Sequence, residues 1–134
     1  MYLFDSNILI DLTRRKPPAG LNERFESVPL GSGATSSLVL LELRRGTARN
    51  PDPDAAWESL ERGLLKRLTV LDFTKKLALA TSDIDERLRR RGRTLPEMDL
   101  MIGVTALEHG LIMVTRNVRD FTDIPGLKVD NWVA

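Results

Sequence analysis

The sequence contains no cysteine and only one histidine among its 134 residues. The absence of cysteine excludes disulfide bonds, thiol nucleophiles and zinc–thiolate sites. A lone histidine excludes a multi-histidine metal centre, and the position of His109 before Gly110 favours a dipole-compensating or exposed side chain at a helix end. Carboxylates therefore remain as the candidate metal ligands of this chain.

Long apolar runs are also missing. No segment approaches the roughly 20 consecutive apolar residues that a membrane span requires. The N-terminus has no basic region, and its short apolar run is broken by Asp5, which argues against a signal peptide. We therefore expect a cytoplasmic protein without a membrane partner. A hydrophobic content of 42% is typical of a globular protein, and we expect one domain over residues 1–134.

The chain carries no strong excess of either charge, with 20 basic and 19 acidic residues and a net charge of +1. This balance neither identifies nor excludes a nucleic-acid partner, so the distribution of charge must decide. Five arginines lie within seven residues, at positions 87, 89, 90, 91 and 93. They form either a phosphate-binding surface or a solvated helix end whose cations offset the helix dipole.

Short apolar segments alternate with amphipathic ones along the whole chain. The pattern predicts strands before Asp5 and at residues 33–36, 68–73, 111–115 and 126–132. It predicts helices at residues 8–14, 21–27, 37–46, 54–66 and 74–91 and within 95–110, with Gly46 and Gly110 as stop signals. Such alternation indicates an α/β fold with a mostly parallel sheet of four or five strands, covered on both faces. The carboxyl ends of its strands then share one edge.

Four polar residues stand at or near this edge. Asp5 follows the first strand, and Asn117 follows the strand at residues 111–115. Glu42 interrupts a run of leucine and valine in a helix, and Asp99 lies in the first turn of another. Each acid also has a local explanation: Asp5 is a good helix cap, Asp99 suits the positive end of a helix, and Glu42 has Arg45 three residues on.

One acidic pocket explains the three carboxylates together better than three separate local roles. Carboxylates held close together repel one another and raise each other's pKa, unless a cation offsets their charge. Mg²⁺ or Mn²⁺ is the natural cation for oxygen ligands. Such a cation with open coordination positions binds a phosphodiester and generates hydroxide from a bound water. The sequence therefore predicts hydrolysis of phosphodiester bonds.

The sequence resembles the PIN-domain nucleases, and within them the VapC ribonuclease toxins of prokaryotic toxin–antitoxin pairs. The resemblance spans essentially the whole chain and depends on an ordered set of short motifs, none of which is decisive alone. These motifs are Asp5-Ser6-Asn7, Glu42-Leu43-Arg44-Arg45-Gly46, Asp99-Leu100-Met101-Ile102, Thr115-Arg116-Asn117-Val118-Arg119-Asp120-Phe121, Ile124-Pro125-Gly126-Leu127 and Asn131-Trp132.

The resemblance implies a PIN-like α/β/α sandwich and an endoribonuclease that requires Mg²⁺ or Mn²⁺. It also implies a homodimer and a VapB-type antitoxin whose tail occupies the active-site groove. Asp5, Glu42 and Asp99 match the three acidic positions of the family, with Asp5 and Asp99 as metal ligands. Ser6 matches the hydroxyl residue beside the first acid.

The fourth catalytic position departs from the common pattern, because the family often has aspartate where this chain has Asn117. The sequence leaves open whether Asn117 or Asp120 completes the site, and whether one metal or two bind. For the substrate, we expect Arg89, Arg90 and Arg91 to hold the RNA backbone without reading sequence, because no aromatic residues lie among them.

Other function classes fit the sequence less well. A phosphoaspartate enzyme of the haloacid dehalogenase type needs a second aspartate where Asn7 stands. A receiver-type signalling domain needs a lysine at a later strand end, where this chain has Thr115 and Arg116. No glycine-rich phosphate loop precedes a Lys-Ser or Lys-Thr pair. The serious alternative is a catalytically silent PIN-like domain that only binds RNA or protein, and the three retained acids argue against it.

Overall fold

A five-stranded, all-parallel sheet forms the centre of the protein in a computed structural model that describes residues 1–133. The strands lie in the order β3-β2-β1-β4-β5. This arrangement confirms the predicted α/β fold and its number of strands. The strands are β1 (Tyr2–Phe4), β2 (Gly33–Ser36), β3 (Thr69–Leu71), β4 (Ile112–Val114) and β5 (Val129–Asp130).

Seven helices connect and flank the strands in the described part of the chain. A 3₁₀ turn at Leu65–Arg67 precedes β3. The helices are α1 (Ser6–Thr13), α2 (Leu21–Glu26), α3 (Ser37–Thr47), α4 (Pro53–Gly63), α5 (Lys75–Arg90), α6 (Glu97–Glu108) and α7 (Val118–Thr122). No helix within residues 1–133 has the length and apolar character needed to cross a bilayer.

Strand β1 is the central strand, paired with β2 on one side and β4 on the other. Leu3 and Phe4 have no exposed surface. Because successive side chains of a strand point to opposite faces, burial of both residues shows that helices cover both faces of the sheet. The ring of Phe4 packs edge-to-face against Phe25 and Trp132, with centroid distances of 5.1 and 5.2 Å.

Of the two helix stops predicted at glycines, the one at Gly46 differs from the structure and the one at Gly110 agrees with it. Helix α3 runs through Gly46 to Thr47, so the predicted stop at Gly46 is wrong. The helix unwinds instead through two i→i+3 bonds, from the Arg49 N–H to the Gly46 carbonyl and from the Asn50 N–H to the Thr47 carbonyl. Gly110 does act as a stop, with φ of 66° directly after the end of α6.

Other elements are shorter than predicted, and one helix was not predicted. Strands β3 and β5 occupy only part of residues 68–73 and 126–132, and α4 gives way to a 3₁₀ turn before residue 66. Helix α7 follows β4, where the sequence showed only a polar segment. Its five residues are too few for helical periodicity to become visible.

Candidate active site

Asp5 lies directly after β1, at the carboxyl edge of the sheet. Its side chain accepts a hydrogen bond from the Ser6 N–H at 2.8 Å and thereby caps α1. The same carboxyl group accepts a second bond, from the Thr115 hydroxyl, at 2.8 Å. Only 3% of the residue is exposed. The cap and the site residue are therefore the same side chain, and the two interpretations of Asp5 do not exclude each other.

Glu42 lies on α3, whose apolar face buries Val39 and Leu43. Its carboxyl group accepts a hydrogen bond from the Ser6 hydroxyl at 3.2 Å, which ties it to the residue next to Asp5. Within residues 1–133 it forms no ion pair with Arg45. The hydroxyl of Ser6 thus joins the start of α1 to the middle of α3.

Three acidic side chains lie close enough together to change one another's protonation. Burial raises the pKa of Asp5 above its ordinary value, although the bonds from Thr115 and Ser6 oppose the shift. Burial and the charge of Asp5 raise the pKa of Glu42. Burial and then the charges of Asp5, Asp120 and Glu42 raise the pKa of Asp99 from 3.8 to about 6. The structure therefore brings these carboxylates into one electrostatic group.

The segment after β4 places Asn117 and Asp120 differently. Asn117 precedes α7, and its backbone N–H donates to the Thr115 hydroxyl at 3.0 Å while its side chain is exposed. Asp120 lies in the first turn of α7 and is half-buried, and its charge contributes to the raised pKa of Asp99. Of these two residues, Asp120 is the one that is coupled electrostatically to the acidic group.

Sequence reasoning missed two residues that hold this group in place. The Thr115 hydroxyl donates to Asp5 and accepts from the Asn117 N–H, so it joins the ends of β1 and β4. The Asn7 amide donates to the Thr115 hydroxyl at 3.3 Å and accepts from the Arg116 N–H at 3.2 Å. The available signal was position in the sequence, because Asn7 directly follows Ser6 and Thr115 lies two residues before Asn117.

The predicted arginine cluster lies at the carboxyl end of α5. Arg89 pairs with Asp85 at 2.9 Å, and Arg90 pairs with Glu86 at 3.3 Å, each one helical turn earlier. Arg91 is the exposed C-cap residue of the helix. Two of the three charges are thus offset locally, and the proposed contact of these arginines with RNA stays a prediction.

The acidic group fits a hard cation by its chemistry. Its oxygen atoms come from carboxylates and from the hydroxyl of Ser6, which bonds Glu42, and oxygen donors are the ones that Mg²⁺ and Mn²⁺ favour. Within residues 1–133, no three His, Asp or Glu side chains are arranged closely enough to form a ready metal site. Burial is the largest cause of the raised pKa values of Asp5, Glu42 and Asp99, and the charge of Asp5 adds to it at Glu42 and Asp99. A divalent cation beside these carboxylates would favour their charged forms.

A five-stranded parallel sheet with acidic side chains near its carboxyl edge is the arrangement that the sequence predicted for a PIN-like domain. The family profile described as the PIN domain matches residues 2–127 of the chain. The match covers nearly the whole length and includes every acidic residue of the candidate site. The chain belongs to the PIN-domain family.

Relatives within that family are VapC ribonucleases. The chain is 35% identical over 131 residues to the tRNA(fMet)-specific endonuclease VapC of Shigella flexneri, covering 98% of this chain and 97% of the relative. The structure of DNA-bound VapBC from Salmonella typhimurium is 33% identical, with a TM-score of 0.86 over 98% of this chain and 97% of that one. VapBC2 from Rickettsia felis, bound to a promoter DNA fragment, is 27% identical, with a TM-score of 0.84 over 98% of each chain. These matches confirm the resemblance to VapC seen in the sequence.

Proposed function

We propose that this protein is a VapC-type endoribonuclease that hydrolyses RNA phosphodiester bonds with Mg²⁺ or Mn²⁺. The observation that carries the proposal is the grouping of Asp5, Glu42 and Asp99, in which Ser6 hydrogen-bonds both Asp5 and Glu42 and the charges of Asp5 and Glu42 act on Asp99. A divalent cation would offset the repulsion between these carboxylates. A PIN domain with these acids in place supports a catalytic role over a purely binding one.

Asp5 and Asp99 are the residues that we assign to hold the metal. When bound, the metal lowers the pKa of a coordinated water and offsets the charge that develops on the phosphate. The protein's own contribution is to fix the ligands. The bonds from Thr115 and Ser6 hold the Asp5 carboxyl in one orientation before any cation arrives.

Glu42 and the segment after β4 complete the proposed site. The bond from Ser6 keeps the Glu42 carboxyl beside Asp5, where its raised pKa suits proton transfer. Asn117 matches the family's fourth position by sequence, while Asp120 is coupled to Asp99 electrostatically. We propose that Asn117 contacts the substrate, and that Asp120 adds negative charge beside Asp99.

Transfer RNA is the substrate class to test first. The Shigella flexneri relative is named for specificity toward tRNA(fMet), and its alignment spans nearly all of both chains. Sequence preference among RNAs depends on the surface around the site, so 35% identity supports the class of substrate more than the individual tRNA. Arg89, Arg90 and Arg91 are proposed contacts to the RNA backbone, because phosphate contacts are independent of sequence.

We further propose that a VapB-type antitoxin controls this activity in the cytoplasm and that the toxin forms a homodimer. The two VapBC structures that match this chain over 98% of its length support the antitoxin. Large apolar side chains remain exposed on the isolated chain, including Leu79 on α5 at 60% and Leu30 at 75%, and such side chains favour protein contacts. Analytical ultracentrifugation of the purified chain tests the dimer directly.

The central experiment incubates purified protein with total tRNA in Mg²⁺, in Mn²⁺ and in EDTA. We expect discrete fragments with either metal and none in EDTA, and we expect no cleavage by Asp99→Asn under any condition. Cleavage that persists in EDTA, or in the Asp99→Asn protein, would contradict the proposed chemistry. Tight tRNA binding without cleavage by the wild type would instead indicate the catalytically silent PIN-like domain.

A further inference from the structure

Asp11 on α1 is a buried residue whose carboxylate forms ion pairs with two arginines. Only 1% of the residue is exposed. Arg14 donates from Nε to one carboxyl oxygen at 2.8 Å, and Arg116 donates from one terminal nitrogen to both oxygens at 3.1 and 3.3 Å. The two guanidinium groups are therefore held side by side, although they lie 102 positions apart in the chain (116 − 14).

This cluster carries a surplus positive charge. Each of the five other ion pairs within residues 1–133 joins one arginine to one carboxylate, including the two pairs on α5. Here two arginines share a single carboxylate. The side chains of Arg14 and Arg116 remain 59% and 47% exposed, and each guanidinium has donors left over after it bonds Asp11. A surplus of fixed donors facing solvent is suited to an anion, phosphate above all.

The cluster adjoins the acidic group. The backbone N–H of Arg116 donates to the Asn7 side chain, whose amide donates to the Thr115 hydroxyl, which in turn donates to Asp5. Asp11 lies four residues beyond Asn7 on α1, or about 6 Å along the helix axis. The backbone of Arg116 is thus linked to the acidic group through only two side chains, Asn7 and Thr115.

We propose that Arg14 and Arg116 bind backbone phosphates of the RNA next to the acidic group, with Asp11 as the positioning residue that fixes both guanidiniums. The proposal rests on the RNA-directed function above. Phosphate contacts hold a substrate in register without reading its bases. Arg14 and Arg116 would hold the RNA strand close to the scissile bond. Arg89 and Arg90 of α5, in contrast, pair with local acids that offset their charge.

The test measures RNA affinity in protein made inactive by Asp99→Asn, with total tRNA as the probe and a series of salt concentrations. Arg116→Gln and Arg14→Gln are each made alone, so that Asp11 always keeps one cation. We expect each to weaken binding roughly tenfold, the size of a lost charged hydrogen bond. The slope of log affinity against log salt should become shallower by about 0.7. Arg62→Gln is the matched control, because Arg62 is an exposed arginine paired with Glu58 alone.

A second background separates substrate binding from a merely structural role. In Asp11→Asn the buried charge is gone, so Arg116 has no carboxylate to neutralise. If Arg116 contacts phosphate, Arg116→Gln still weakens RNA binding in that background. If Arg116 only neutralises Asp11, the Asp11→Asn protein and the Asp11→Asn protein that also carries Arg116→Gln bind RNA equally. That result would show that the proposal is wrong. Circular dichroism and melting temperature identify any variant that fails to fold.

Two further outcomes distinguish this proposal from the proposed function. Wild-type protein that cleaves tRNA, combined with an Arg116→Gln protein that binds it unchanged, overturns the phosphate contact and leaves the nuclease intact. Wild-type protein that binds tRNA through Arg116 without cleaving it supports the contact and overturns the nuclease. If Arg116→Gln weakens only the binding of an antitoxin and leaves tRNA binding unchanged, the surface is a protein contact and the proposal fails.

Discussion

Asp5 fulfils two structural roles with one carboxyl group. One hydrogen bond to it closes the first turn of α1, and another ties it to the end of β4. Helix caps and metal ligands are usually treated as alternatives for an aspartate at a strand end. Here the two bonds hold the carboxyl group in one orientation, so the capping role of Asp5 is compatible with the proposed role as a metal ligand.

Asp5→Asn separates these two roles. Asparagine caps a helix about as well as aspartate, so the fold should persist. The substitution removes a charge whose pKa is raised by burial, so the metal-free variant should be slightly more stable than the wild type. Loss of a metal ligand should lower tRNA cleavage by about 100-fold or more. Thermal melting and cleavage assays, each in EDTA and in Mg²⁺, measure both effects.

Metal itself provides the control for this variant. A ligand that binds only the folded state raises its melting temperature, so Mg²⁺ should stabilise the wild type and stabilise Asp5→Asn much less. An Asp5→Asn protein that cleaves at the wild-type rate would contradict the role assigned to Asp5.

The protonation of Asp99 should make the metal-free protein sensitive to pH. Its pKa is about 6 in the folded protein against an ordinary 3.8, so the folded state binds the proton more tightly than the unfolded chain does. Stability therefore falls as pH rises from 3.8 toward 6, and the loss persists above that range. Asp99→Asn should remove this loss and stabilise the protein at pH 7 in EDTA by about 1 kcal/mol, since solvent screens a half-buried group.

Urea unfolding of both proteins at pH 4 and pH 7 measures this difference. The free energy of unfolding of Asp99→Asn should exceed that of the wild type at pH 7 and nearly equal it at pH 4. The same difference in free energy at both pH values would show that packing, and not charge, causes it.

At the level of single residues, sequence identified the acids but not the residues that bind them. Asp5, Glu42 and Asp99 stand out because each is a carboxylate in an apolar or strand-end context. The bond between Thr115 and Asp5 joins residues 110 positions apart, so no local pattern reveals it. The pairing of Arg89 and Arg90 with acids four residues earlier was visible in the sequence and was overlooked.

Among the elements, α6 shows how a glycine can set a packing distance. Gly103 is buried on the side of α6 that contacts α7 and the segment after it. A methyl group there would overlap Cδ1 of Ile124 and come within 3.1 Å of Phe121. The close approach of α6 brings α7, and with it Asp120, toward the acidic group.

Gly103→Ala should therefore destabilise the protein by about 1–3 kcal/mol, the usual cost of overpacking a core. Gly46→Ala is the matched control, because Gly46 lies inside α3 and a methyl group there meets nothing within 4 Å. That control should stabilise the protein by about 0.5–1 kcal/mol, since alanine loses less backbone freedom in a helix. Chemical denaturation of the two variants gives both values. Equal effects would show that the packing of α6 tolerates the extra methyl group.

The sequence predicted the long elements better than the short ones. Helix α5 carries apolar residues at helical spacing, of which Leu77, Ile84 and Leu88 are buried and Ala80 is partly buried. Helix α7 spans five residues and gives no periodic signal. The stop at Gly46 was mispredicted because glycine ends a helix only where the backbone adopts positive φ, and nothing local to Gly46 requires this.

At the scale of the whole molecule, substitution of the arginines at the end of α5 tests whether bound RNA extends from the acidic group to this helix end. Replacing Arg89, Arg90 and Arg91 together by alanine should weaken tRNA binding and reduce its salt dependence, because phosphate neutralisation releases counterions. Exposed pairs such as Arg90 with Glu86 are weak enough to exchange for phosphate. Titrations at several salt concentrations measure both changes. If neither changes, the cluster is a solvated helix end.

The architecture as a whole was predictable, because alternation of strands and helices allows few topologies. Parallel strands with covered faces place every carboxyl end on one edge, which explains why Asp5, Asn117 and the nearby helices meet there. What alternation cannot provide is the order of strands across the sheet. That order follows from long-range pairing, such as that of Leu3 with Met113.

The central position of β1 has a consequence for synthesis of the protein. Strand β1 can pair with β2 soon after both have been made, but its other edge waits for β4, more than 100 residues later. Asp5 is translated more than 90 residues before Asp99, Thr115 and Asp120. A growing chain therefore lacks the complete acidic group until those later residues have been made. A ribosome that makes this nuclease carries a polypeptide with an incomplete site while all the residues between them are added.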